Sequence, residues 1–95
     1  MSERSFYVLA YDIPDDRRRV KIAKLCESTA DRVQGSVFEG YLTRQELKGL
    51  LKKLERILVK EDDCLRVYQL CAECRKKIIT RGSGRVTPPP QVIIV

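Results

Sequence analysis

The first apolar run of the chain, Phe6-Tyr7-Val8-Leu9-Ala10-Tyr11, is unbroken by a polar residue and does not alternate. Such a run predicts a central strand buried on both faces. It stops at Asp12-Ile13-Pro14-Asp15-Asp16, where a proline and an acidic pair suit the first turn of a helix. That helix is expected over residues 14–30, with Ile22, Leu25, Cys26, Thr29 and Ala30 on one face. Next, two β-prone pieces flank Gly35-Ser36. Glycine at the first turn position fits a type II′ hairpin, and one long strand bulged at Gly35 is the competing assignment. Thr43-Arg44-Gln45-Glu46 has the form of a capping box, and behind it Leu47, Leu50, Leu51, Leu54, Ile57 and Leu58 recur at helical spacing. Asp62-Asp63 then makes a turn into a strand at Cys64–Leu70, with residues 76–80 a candidate for a further short one.

The tail differs in kind. Gly82-Ser83-Gly84 and Pro88-Pro89-Pro90 make a flexible link followed by a stiff one. Val92-Ile93-Ile94-Val95 follows, and an exposed strand of that composition would be adhesive. It is expected to add to a sheet edge, its own or a neighbour's. The order β-α-β-β-α-β plus a terminal strand is the ferredoxin-like plan, an α+β fold. Residues 1–81 would form the domain and residues 82–95 the linker and terminal strand. Both helices would cover one sheet face, whereas the first strand reads as buried on two. A second copy packing sheet to sheet reconciles these, giving a symmetric homodimer.

Composition narrows the chemistry. The 95 residues include no His, which removes Ser-His-Asp hydrolysis, Cys-His proteolysis and His-ligated metals. Carboxylates, cysteines, Lys/Arg, hydroxyls or a metal must carry any reaction. The balance of 19 Lys and Arg against 13 Asp and Glu leaves +6, which favours an anionic partner, nucleic acid first. The run ending at Asp12 is too short for the apolar core of a signal peptide, and no stretch suits a membrane span. A cytoplasmic protein with reduced thiols is therefore expected, its four cysteines acting as small buried hydrophobes. Cys71-Ala72-Glu73-Cys74 is half of a zinc site with nothing to complete it, and it lacks the strand-then-helix setting of a thioredoxin-like redox motif.

Tyr11-Asp12-Ile13-Pro14-Asp15-Asp16-Arg17-Arg18-Arg19-Val20-Lys21, followed by Arg32-Val33-Gln34-Gly35-Ser36-Val37-Phe38-Glu39-Gly40, resembles the CRISPR-associated protein Two family, the small subunit of the spacer-acquisition machinery. The resemblance runs over about the first seventy residues, and the two signatures are specific together. It implies a ferredoxin-like homodimer whose terminal strand crosses to the partner's sheet. It also implies a magnesium-dependent endonuclease on single-stranded RNA or duplex DNA, and a bridge between integrase dimers in a heterohexamer-type complex. The family's catalytic, Mg²⁺-binding aspartate falls on Asp12, one from each protomer. Tyr11, Arg19, Arg32 and Phe38 match other positions that matter in the family. Lys21 stands where some members carry arginine, and Gly35 where an aromatic is frequent.

Read by their own chemistry, these residues keep two roles each. Asp12 is either a turn residue satisfying backbone N–H groups or a ligand to a metal that activates water. Asp15 and Asp16 suit the helix N-terminus better than the metal. Arg17, Arg18, Arg19, Lys21 and Arg32 are candidates for phosphate contact, or else part of a solvated surface. Arg75, Lys76, Lys77, Arg81 and Arg85 form a second basic cluster that could follow a duplex or simply aid solubility. Tyr11 and Phe38 could stack on bases, though such aromatics are more often core. Three functions follow: a CRISPR-associated endonuclease, a non-catalytic DNA-bridging scaffold for an integrase, and a single-strand RNA reader that needs its sheet face free.

Overall fold

Strand β1 (Arg4–Asp12) sends alternate side chains to opposite faces, and one set, Tyr7, Leu9 and Tyr11, is buried. The computed structural model describes residues 3–82 and 86–88. After β1 come α1 (Asp16–Glu27), β2 (Asp31–Gln34), β3 (Val37–Thr43), α2 (Arg44–Glu55), β4 (Cys64–Leu70) and a short α3 (Ala72–Lys76). The sheet order is β2-β3-β1-β4, and every neighbouring pair is antiparallel. This is the expected ferredoxin-like α+β arrangement.

Each helix begins at a polar cap. Asp15 caps α1 by accepting from the Arg18 N–H at 2.9 Å, and Asp16 lies in the first turn, as the acidic pair implies. Thr43 and Glu46 form a reciprocal capping box on α2, at 3.0 and 2.8 Å. Helix α1 is shorter than expected at both ends: Pro14 precedes the cap, and the chain turns after Glu27 to enter β2.

Ile22, Ala23 and Cys26 of α1, with Leu50 and Leu54 of α2, pack on Tyr7, Leu9, Tyr11, Phe38 and Leu42 of the sheet. Gly40 lets this layer close, since a Cβ there would meet Ala30 Cα at 3.2 Å. The opposite face carries Phe6, Val8, Ala10 and Asp12 of β1 beside Glu39, Tyr41, Arg66 and Tyr68. Two-sided burial of β1 holds only in part here. Phe6 is buried, but Val8 and Ala10 are half-exposed.

Three expectations need correction. The hairpin turn is the two-residue Gly35-Ser36, but Gly35 does not have the positive φ of a type II′ turn. Tyr11 holds both turn carbonyls instead, its N–H donating to Ser36 O at 3.1 Å and its hydroxyl to Gly35 O at 3.2 Å. The irregularity of this hairpin lies between Arg32 and Gln34, not at Gly35. Residues 76–80 form no strand; α3 occupies 72–76, capped by the Cys71 side chain, and the chain beyond it is irregular. Of the four cysteines only Cys26 is buried, while Cys64, Cys71 and Cys74 are exposed. The expected terminal strand at residues 92–95 lies outside the described residues.

Leu54 is fully buried in the central cluster, so Leu54→Ala should lower the unfolding free energy by about 2–5 kcal/mol. Thr43→Ala, which removes one side of the capping box, should cost about 0.5–2 kcal/mol. Urea denaturation of the three proteins, with unchanged slopes and lowered midpoints, checks both values.

Candidate functional site

The ladder between β1 and β3 ends at Ala10↔Val37, while that between β1 and β4 runs on to Asp12↔Cys64. Asp12 therefore stands at the last rung of the sheet, paired on one side only, and is exposed. It takes part in none of the ion pairs among the described residues. Directly across the rung is Cys64, and one pair further along the same face is Arg66. Neither was singled out from sequence, although period-two alternation along Cys64–Leu70 places both on the face of Asp12.

The basic residues near Asp12 divide into two kinds. Arg18 makes a two-pronged contact with Asp63, Nε at 2.8 Å and a terminal nitrogen at 3.0 Å, and the Asp63 carboxylate also accepts the Val59 N–H. The Asp63 side chain has no solvent exposure. The Arg18 guanidinium holds its carboxyl below the ordinary carboxylate range. Arg18 is thus a strut between α1 and the loop entering β4, not a free phosphate contact. Arg19 donates to Ile13 O at 2.9 Å and pairs with Asp16, bracing the turn that follows Asp12. Arg32 lies over the Phe38 ring, 5.2 Å from its centroid, and pairs with Glu27 at 3.1 Å. Arg17 and Lys21 are exposed and belong to none of these ion pairs.

Tyr11 and Phe38 are turned into the helix-facing core and stack on each other with centroids 6.2 Å apart. Burial raises the Tyr11 hydroxyl above its usual pKa. Base stacking is not available to either ring in this arrangement. Their role is to fasten the hairpin turn to the end of β1.

At the other end of the exposed sheet face, Arg75 of α3 covers an edge-to-face pair of Phe6 and Tyr41, 5.3 and 5.6 Å from the two centroids. Arg75 also donates to Thr87 O, while the Thr87 N–H donates to the buried Glu39 carboxylate at 2.6 Å. Arg75 is therefore committed to the tail, and Arg85 lies outside the described residues. Lys76, Lys77 and Arg81 remain exposed.

Residues 5–78, which span Asp12 and all of the sheet but Arg4, match the family described as CRISPR associated protein Cas2. The chain belongs to the Cas2 family. Among its relatives, a Synechocystis protein named CRISPR-associated endoribonuclease Cas2 3 is 45% identical over 89 residues, covering 94% of this chain and 97% of that protein. The crystal structure of a hypothetical protein from Thermus thermophilus superposes with a TM-score of 0.78 at 41% identity, over 86% of this chain and 95% of that one. One chain of a partial Cas6-RT-Cas1–Cas2 complex aligns with a TM-score of 0.74 at 26% identity, over 96% of this chain and 99% of that one.

The lowered Asp63 pKa has a defined sign. Its contribution is fully present above the ordinary carboxylate range and is lost as pH falls through the folded value. Asp63→Asn should therefore melt below the parent protein at neutral pH, and the gap should narrow toward about pH 3. Thermal melts of both proteins across that range check it.

Proposed function

We propose that this Cas2-family chain is a magnesium-dependent endonuclease-type subunit acting on single-stranded RNA, duplex DNA or both during acquisition of new spacers. The observation that carries this reading is the position of Asp12: an exposed, unpaired carboxylate at the end of the central strand. Support for nuclease chemistry comes from relatives that carry the name endoribonuclease.

Mg²⁺ takes oxygen ligands and is commonly held by one or two carboxylates plus substrate phosphate. One chain offers Asp12 alone, and no group of three or more ligating side chains occurs among the described residues. The site fits if a second copy brings its own Asp12. Sheet-to-sheet pairing would do so, since Asp12 lies on the face that the helices leave bare. A bound Mg²⁺ would polarise the phosphodiester and lower the pKa of a water nucleophile. Asp12 would hold it, while Arg17 and Lys21 offset phosphate charge on the exposed side of α1. Arg18, Arg19 and Tyr11 act indirectly, as positioning residues that fix the turn after Asp12 and the hairpin beside it.

A second reading, a non-catalytic DNA-bridging scaffold for an integrase, keeps the fold and the homodimer. It is favoured by the single carboxylate per chain and by the solved relative described in a complex with Cas1. The RNA-reader alternative loses ground because Tyr11 and Phe38 are buried on the helix side.

Incubation with RNA and with duplex DNA, with and without Mg²⁺, separates the two. Cleavage that needs the metal and falls to background in Asp12→Asn supports the enzyme. Intact, salt-sensitive duplex binding without cleavage supports the scaffold. In either case Arg17→Ala and Lys21→Ala should each reduce the slope of log affinity against log salt by about 1. Arg18→Ala should instead lower the melting temperature.

A further inference from the structure

Cys71 and Cys74 take no part in the site at Asp12. Both are exposed, and they touch: Cys71 Sγ accepts the Cys74 N–H at 3.4 Å. The strand-then-helix setting that the sequence does not show for this pair is present in the structure: Cys71 directly follows β4 and caps α3, and Cys74 lies in that helix, three residues on. Positions so spaced lie on the same side of a helical turn, about 5–6 Å apart at Cβ, so a small tightening reaches disulfide geometry.

The other cysteines are placed differently. Burial pushes the Cys26 thiol up to about 11, which keeps it protonated and unreactive. Cys64 begins the strand that ends just before Cys71, on the order of 20 Å away along an extended chain, so it cannot reach the pair. Hydrogen bonding from Cys74 lowers the Cys71 thiol, which favours the thiolate.

Cys71 also lines a cavity of about 320 Å³ with Arg4, Phe6, Tyr41, Leu70 and Arg75. Two guanidinium groups stand in its wall, but Arg4 pairs with Glu46 and Arg75 is held by Thr87 O, so neither is free for an anion.

We propose that Cys71 and Cys74 are a reversible dithiol–disulfide pair, oxidised by a low-molecular-weight disulfide of the glutathione class. The Cys71 thiolate attacks one sulfur of the small disulfide, forming a mixed disulfide and releasing one small thiolate. The Cys74 thiolate then attacks Cys71 Sγ, closing the Cys71–Cys74 bond and releasing the second. The protein dithiol loses two electrons, the small disulfide gains them, and the two thiol protons pass to the released thiolates. Excess small thiol drives the same steps backwards.

The test uses the full chain, reduced, desalted and exposed to oxidised glutathione. Both cysteines fall in one tryptic peptide, residues 67–75, so the expected product is that peptide lighter by two hydrogens, about 2 Da, and restored by dithiothreitol. This measurement needs no variant. In Cys74→Ser the reaction should stop at one glutathione on Cys71, and in Cys71→Ser no internal bond should form. The proposal is overturned if glutathione settles on Cys64 while Cys71 and Cys74 stay reduced. It is equally overturned if the pair oxidises only by linking two chains, or if the Cys74→Ser adduct is absent.

Discussion

The constraint on which the molecule depends is that β1 is hydrogen-bonded along both edges. A strand flanked by β3 and β4 satisfies its own backbone groups, so its side chains are free to serve two different surfaces. Tyr7, Leu9 and Tyr11 anchor the helices on one side, and Phe6, Val8 and Ala10 line the other. Because the two ladders end at different rungs, the strand stops with one edge still held. Asp12 is fixed in position by the sheet yet open to solvent, and a bound ion or phosphate needs both conditions.

Charge in this chain is sorted by depth. Arg18 is drawn into a contact with an Asp63 side chain that water does not reach, where breaking one partner would strand the other. Arg19 and Arg32 lie across the turn and the Phe38 ring, and Arg75 across the opposite aromatic pair. What remains for an anionic partner near Asp12 is a narrower set, Arg17 and Lys21 on the outer side of α1 and Arg66 on the bare sheet face. The net charge of +6 thus overstates the positive surface available at any one place.

Local signals carried much of the architecture. The unbroken run at Phe6, the Thr43–Glu46 box and the leucine spacing behind it each correspond to an element, because neighbouring residues alone determine a cap or a period. The position of Asp12 at a strand end was legible for the same reason. Contacts between distant residues were not. Asp63 looks like half of a turn, and nothing nearby in sequence reveals that its carboxylate meets Arg18 across 45 positions. Tyr11 looks like one more strand aromatic, although its hydroxyl sets the hairpin turn. The C-x-x-C was visible as a spacing, but its exposure depends on α3 turning away at the end of β4, which no local signal announces.

The grip on Thr87 has a consequence for how the tail can vary. Glu39 and Arg75 hold the main-chain N–H and carbonyl of that residue, not its side chain. Such a clamp is indifferent to residue type and sensitive to position. Thr87 is also the last residue before Pro88-Pro89-Pro90 with an amide hydrogen to offer. Sequence drift at this position is therefore tolerated, whereas an insertion or deletion between α3 and the prolines would put a different peptide, or a proline, into the clamp. The tail is measured by length, like a strap closed at one hole.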